Sequence, residues 1–210
     1  MPLPLLSIAE AAAALRKGEI VAYPTETFYG LGAVLSSRDA LERLMRLKRR
    51  DAGKPIGLIL GRAESLSLVA CALAPRVLRL VAFAWPGPLT VVLPARPEVD
   101  PIITGGTETV AVRVPSHAQA RALADAAGGA ITATSANRQG APSPTTPEQV
   151  REQFDDREVR GIAGGEPTPG GSPSTLVRPE GRQLVIIRRG VVSPETLREW
   201  WSGDVDEGSH

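Results

Sequence analysis

Lys48 and Arg50 stand two positions apart in Leu47-Lys-Arg-Arg50, Arg113 interrupts an otherwise apolar run from Val110 to Val114, and Ser135 and Asn137 flank Ala136. Arg188 closes the apolar run that begins at Gln183. These residue types suit one kind of chemistry. An arginine fork matches a carboxylate or phosphate through two parallel hydrogen bonds, lysine adds a compact charge, and Ser, Thr and Asn give short directional bonds. Gathered in one place, they form a site for a small polyanion. Each also has an ordinary role: the Lys48 to Arg50 cations complement a helix C-terminus, Ser135-Ala-Asn137 makes an Asx-type turn, and Arg188 is an edge charge. Of 24 cations, 21 are arginine, and two of the three lysines, Lys48 and Lys54, fall within seven residues of each other.

The flanking sequence indicates what must position these groups. Ser7-Ile-Ala-Glu10 is a capping box opening an alanine-rich helix that stops at Lys17-Gly18, and a strand follows from Ile20 to Tyr23, broken by Pro24. Ser36 or Ser37 caps a second helix with the apolar stripe Leu41, Leu44, Met45, and Lys48 continues that stripe, so its side chain is expected on the buried side of the last turn. Strands are expected at Ile56 to Leu60, Leu89 to Leu93, Val110 to Val114 and Ala130 to Thr134, with a helix from Pro75 to Trp85. Period-two alternation sends Val110, Val112 and Val114 to one face and Ala111 and Arg113 to the other. Ser116 caps a helix, Thr146-Pro-Glu-Gln149 caps another, Gly161 to Ser172 reads as a mobile glycine-rich segment, and Ser174 to Arg178 with Gln183 to Arg188 reads as a hairpin. A final helix opens at Ser193-Pro194. The expectation is one α/β (α+β) domain over residues 1–202, a twisted mixed sheet flanked by helices, with a disordered polar tail at 203–210.

Composition removes several classes. With 24 cations against 23 acids, no global field favours wholesale binding to nucleic acid or membrane. One cysteine, Cys71, and two histidines, His117 and His210, leave little for a metal centre or a Ser–His nucleophile, and no metal ligands are assigned. No G-x-x-x-x-G-K-[ST] or strand-linked G-x-G-x-x-G is present. The N-terminus lacks the charge pattern of an export signal, so a cytoplasmic, soluble protein is expected.

In order, Pro24-Thr-Glu-Thr-x-Tyr-Gly-Leu-Gly, Lys48-x-Arg50, Trp85-Pro-Gly-Pro-Leu-Thr90, Thr109-Val-Ala-Val-Arg113-x-Pro115, Ser135-Ala-Asn137, Pro142-Ser-Pro-Thr145, Ser174-Thr175 and Arg188-x-Gly190 resemble the YrdC family of threonylcarbamoyl-AMP synthases, in its short single-domain bacterial form. The resemblance runs from about Leu5 to Leu197. It implies a sheet around a large positively lined cavity, and a nucleotidyl transfer in which L-threonine, bicarbonate and ATP, with Mg²⁺, give threonylcarbamoyl-AMP and pyrophosphate. Partner proteins then carry the group to the adenosine beside the tRNA anticodon. Carried over by position, Thr27, Arg50, Arg113, Ser135 and Ser174 would surround threonine, with Arg113 on its carboxylate. Lys48, Arg50, Thr109, Ser135, Asn137, Ser143 and Arg188 would surround ATP, and Lys48, Arg50, Ser135 and Asn137 would stand at the reaction. Gly30 and Gly32 would let the chain pass close to this site, and Glu26 would orient its loop or bind the substrate ammonium. Asp51 replaces a common proline and is placed to pair with Arg50, and Ile59 stands where longer relatives carry a histidine. The alternative readings are a module binding tRNA or another structured RNA through the same concavity, and a paralogue acting on another substrate.

Overall fold

The computed structural model describes residues 2–51, 53–201 and 203–207. In chain order the first half comprises β1 (Leu5–Leu6), α1 (Ile8–Arg16), β2 (Val21–Tyr23), β3 (Gly30–Gly32), α2 (Arg38–Leu47), β4 (Leu58–Leu60) and α3 (Pro75–Ala84). There follow β5 (Leu89–Pro94), α4 (Pro101–Thr104), β6 (Thr109–Arg113), α5 (Ala118–Ala126), β7 (Ala130–Thr132) and β8 (Thr134–Ser135). The chain continues through α6 (Pro147–Gln153), β9 (Ile162–Ala163), β10 (Thr175–Glu180), β11 (Gln183–Arg188), α7 (Pro194–Trp200) and β12 (Asp204–Asp206).

The strands make two mixed sheets where one was expected. The larger has the order β12-β11-β10-β5-β6-β4-β7 and the smaller β1-β9-β2-β3-β8. The single strand anticipated from Ala130 to Thr134 is divided between them. Thr132 N donates to Ala33 O at 3.0 Å and Ala133 N to Gly57 O at 2.7 Å, so the backbone changes partners at this point and β8 leaves to pair with β3. Two apolar clusters result. One runs through Leu31, Leu41, Leu44, Leu80, Val91 and Val112, and the other joins α1 and α5 to Tyr23, Ile59 and Ile131.

Local chemistry explains most helix ends. Ser7 and Glu10 form the full capping box of α1, Ser37 caps α2 through Ala40 N, and Thr146 caps α6 through Gln149 N. Ser116 does not cap α5: His117 occupies the N-cap position without a side-chain cap bond.

Two further expectations are corrected. The 161–172 segment is tied into the fold, because Ile162–Ala163 is buried between β1 and β2, Thr168 N bonds Thr145 O at 2.8 Å, and Gly170 N bonds Thr27 O at 2.7 Å. The supposed tail is strand β12 at residues 204–206, paired parallel to β11; residues 208–210, with His210, lie outside the described residues. Gly30 pairs with Ser135 at the cavity wall, and both Gly30 and Gly32 also leave room for the Tyr23 ring. A Cβ on Gly32 would lie 3.1 Å from the Tyr23 ring, which is fully buried, with Oη donating to Thr132 O at 2.8 Å.

Candidate functional site

Alternation along the large sheet builds a cavity of about 670 Å³. On β5, Leu89, Val91 and Leu93 enter the core while Thr90 and Val92 line the cavity. On β6, Val110 and Val112 are buried in the core and Thr109, Ala111 and Arg113 line the cavity, as the period-two reading required. Ser174, Leu176 and Arg178 contribute from β10 and its approach, Arg188 from β11, and Thr134 and Ser135 from the small sheet. Four guanidiniums, Arg50, Arg113, Arg178 and Arg188, line this space, Arg178 already paired with Glu180 (Nε to Oε1 2.6 Å), and among the described residues no carboxylate belongs to the lining.

Arg113 is 8% exposed, and its Nη1 donates to Glu26 Oε1 at 2.5 Å. The rest of its fork has no other protein acceptor among the described residues. Glu26 therefore orients this arginine, and its second oxygen, Oε2, is buried without a hydrogen-bond partner. Arg188 is fixed by Ser174: Nη2 donates to Ser174 O at 2.8 Å and Oγ at 3.2 Å, and Ser174 Oγ is 2.9 Å from Thr90 Oγ1. Partial burial and then the Arg113 charge lower the Arg188 pKa. Thr109 and Thr107 share a hydroxyl contact of 2.8 Å at the rim.

Lys48 ends α2 and turns inward, as its place on the apolar stripe indicated. Its Nζ donates to Ser135 O at 2.8 Å, to Asn137 Oδ1 at 2.9 Å and to Asn137 O. Ser135 Oγ also donates to Asn137 Oδ1 at 2.5 Å. Lys48 and Asn137 thus form the wall behind Ser135. Burial, reinforced by the Arg50 charge, lowers the Lys48 pKa to about 8. Arg50 donates to Lys54 O at 3.1 Å and Pro55 O at 2.5 Å, and burial lowers its pKa as well. Asp51 forms no ion pair with Arg50, contrary to the sequence expectation, and instead takes Lys54 Nζ at 2.8 Å.

Of the residues expected at the site, Arg50, Thr109, Arg113, Ser135, Ser174 and Arg188 meet in the cavity. Thr27 is buried beside Thr25 (Oγ1···Oγ1 3.2 Å) on the loop that carries Glu26, and Ser143 is half-buried on its loop; neither belongs to the lining. Ile59 points into the α1–α5 cluster, away from the cavity. Sequence reasoning missed Arg178, although it shares its strand face with Ser174 at a spacing of four, the signal that would have found it.

The chain matches the Sua5/YciO/YrdC family profile, described as telomere recombination, over residues 13–190. The chain belongs to the Sua5/YciO/YrdC family. Among curated members, the threonylcarbamoyl-AMP synthase of Bacillus subtilis is 39% identical over 191 residues, covering 90% of this chain and 55% of the relative. The one of Thiobacillus denitrificans is 45% identical over 163 residues, covering 78% of this chain and 86% of the relative. The chain therefore spans little more than half of some relatives and most of others. Among solved structures, Pyrococcus abyssi Sua5 complexed with L-threonine superposes with a TM-score of 0.88 at 36% identity, covering 94% of this chain and 58% of that one. Escherichia coli YciO superposes at 0.80 with 27% identity, covering 90% and 92%. No helix among the described residues of this Sua5/YciO/YrdC member is long and apolar enough to cross a membrane.

Proposed function

We propose that this chain is an L-threonylcarbamoyladenylate synthase, a nucleotidyltransferase that joins L-threonine, bicarbonate and ATP for tRNA modification. The observation that carries the reading is the cavity itself, four guanidiniums among hydroxyls with Arg113 held from one side by Glu26. The curated relatives named threonylcarbamoyl-AMP synthase and the threonine complex of a 36% identical Sua5 support it.

The reaction has two bond-forming steps. The free threonine amine attacks the carbon of bicarbonate, and loss of water leaves a carbamate. A carbamate oxygen then attacks the α-phosphorus of ATP, the bond to the β-phosphate oxygen breaks, and pyrophosphate leaves. Neither step needs a protein nucleophile; both need anions held together against their repulsion. Arg113 binds the threonine carboxylate through the part of its fork that Glu26 leaves open, with Ser174 beside it and Thr27 supporting from behind the lining, on the loop that carries Glu26. Arg50 and Arg188 neutralise the phosphates, Thr109 borders the nucleotide, and Lys48 with Asn137 holds Ser135 toward the reacting groups. Low solvation strengthens the attraction between each of these charges and a bound anion.

The lining offers no carboxylate, and no group of three or more His, Cys, Asp or Glu converges on a metal position among the described residues. These residues do not build a magnesium site, and Mg²⁺ enters as part of its ATP complex, as substrate. The product passes to proteins that transfer the threonylcarbamoyl group to tRNA. The test is pyrophosphate release by the pure protein. Release that requires L-threonine and bicarbonate together supports the reading, and release indifferent to threonine refutes it.

A further inference from the structure

A second concavity, of about 390 Å³, lies on the outer side of α2 and shares no lining residue with the first. Five arginines line it, Arg43, Arg46, Arg49, Arg138 and Arg157, against one acid, Glu158. In a chain of net charge +1 this is a concentrated positive spot. Some of its charge is already engaged. Arg138 makes a two-pronged bond to Glu158 at 2.8 and 2.7 Å, Arg43 donates to Gly18 O, and Arg46 lies 3.8 Å from Glu42. Arg49 and Arg157 have no ion-pair partner among the described residues, and both side chains are exposed.

The backbone is shaped to present them. Arg49 adopts a left-handed conformation, φ 45°, which a non-glycine residue holds at a cost of about 1 kcal/mol or more. At this turn Lys48 points inward to Asn137 and Arg49 lines the outer concavity; across the wall, Asn137 points inward and Arg138 lines the same concavity. Glu42 and the Glu19–Arg160 pair, 3.5 Å apart, border the spot with acids, so the positive region is compact and does not continue as a stripe. An extended nucleic-acid backbone needs such a stripe, and a short polyanion does not.

We propose that this concavity is a second anion site, separate from the cavity, that binds a linear di- or triphosphate. Guanidinium forks suit phosphate oxygens, several negative charges within a few bonds match the unpaired Arg49 and Arg157 with Arg43 beside them, and the volume suits a short phosphate chain. A ligand here bears on the two backbone turns that place Lys48 and Asn137.

The test is calorimetric titration with sodium tripolyphosphate of the wild type and of an Arg49→Ala/Arg157→Ala double variant, both residues exposed and outside the catalytic cavity. The wild type is expected to take up an additional equivalent, with the variant's affinity for it lowered at least about tenfold. Equal stoichiometry and affinity in the two proteins overturns the proposal. So does a variant that keeps tripolyphosphate binding and loses only binding of a duplex RNA, which would assign the face to nucleic acid. The readout needs no turnover, so it stands or falls apart from the synthase reading.

Discussion

Raising the pH should weaken nucleotide binding through one residue, Lys48. Its pKa of about 8 means that the ammonium is about nine-tenths populated at pH 7 and about one-tenth at pH 9. Deprotonation removes both a positive charge beside the proposed phosphate subsite and one of three donors. A neutral amine has two N–H groups for the three acceptors on Ser135 and Asn137, so the wall behind Ser135 loosens as the charge is lost. If ATP requires the charged form, affinity follows the protonated fraction and falls about tenfold between pH 7 and 9, inflecting near 8. The assay is equilibrium binding of a non-hydrolysable ATP analogue without threonine, which keeps the substrate amine out of the profile. Lys48→Met should bind weakly with a flat profile. A flat wild-type profile, or the same slope in both proteins, would refute the reasoning. The same shift bears on stability. Because the folded pKa lies below the ordinary 10.5, holding Lys48 charged opposes folding most fully below about pH 8, and the opposition fades as pH rises toward 10.5. Wild type should accordingly gain on Lys48→Met in melting temperature across that window.

Arg113→Ala should raise the threonine KM by about 100-fold while leaving the ATP KM within a few-fold, the loss expected for a charged fork on a carboxylate; the reverse pattern in initial-rate kinetics would place the wrong ligand on this residue. The same variant strands the Glu26 carboxylate, 14% exposed, so its stability should drop by about 3 kcal/mol in urea titration, and adding Glu26→Gln should restore part of the loss. Gly190→Ala would place a Cβ 2.2 Å from Pro173 O and 2.6 Å from Ser174 C, so the backbone beside Ser174 must move. A loss of about 2 kcal/mol or more in thermal unfolding, with weaker nucleotide use, is expected; an unchanged melting temperature would show that the approach is not tight.

Much of the site was legible because it rests on short-range rules. Alternation alone placed Arg113 opposite Val110 and Val112, and the helical stripe turned Lys48 inward, with no knowledge of the partners either would meet. What stayed hidden depends on residues far apart in the chain. Glu26 meets Arg113 across 87 positions, so neither its spacing nor its neighbours announced the pair. The division of Ala130 to Thr134 between two sheets follows from Gly57 and Ala33 acting as acceptors, which no local propensity encodes. The packing role of Gly30 and Gly32 was hidden for the same reason: their lack of bulk makes room for the Tyr23 ring one strand away. The 161–172 segment looked mobile by composition, yet a two-residue strand and two backbone bonds to loops more than a hundred and some twenty positions earlier hold it.

The central claim is that this cavity joins threonine to AMP through a carbamate. It is tested most directly by supplying ¹³C-bicarbonate with ATP, Mg²⁺ and L-threonine, and analysing the nucleotide products by mass spectrometry. The account predicts a threonylcarbamoyl adenylate carrying the ¹³C label, formed together with pyrophosphate and absent when threonine is left out. ATP turned over without a labelled adenylate would contradict it.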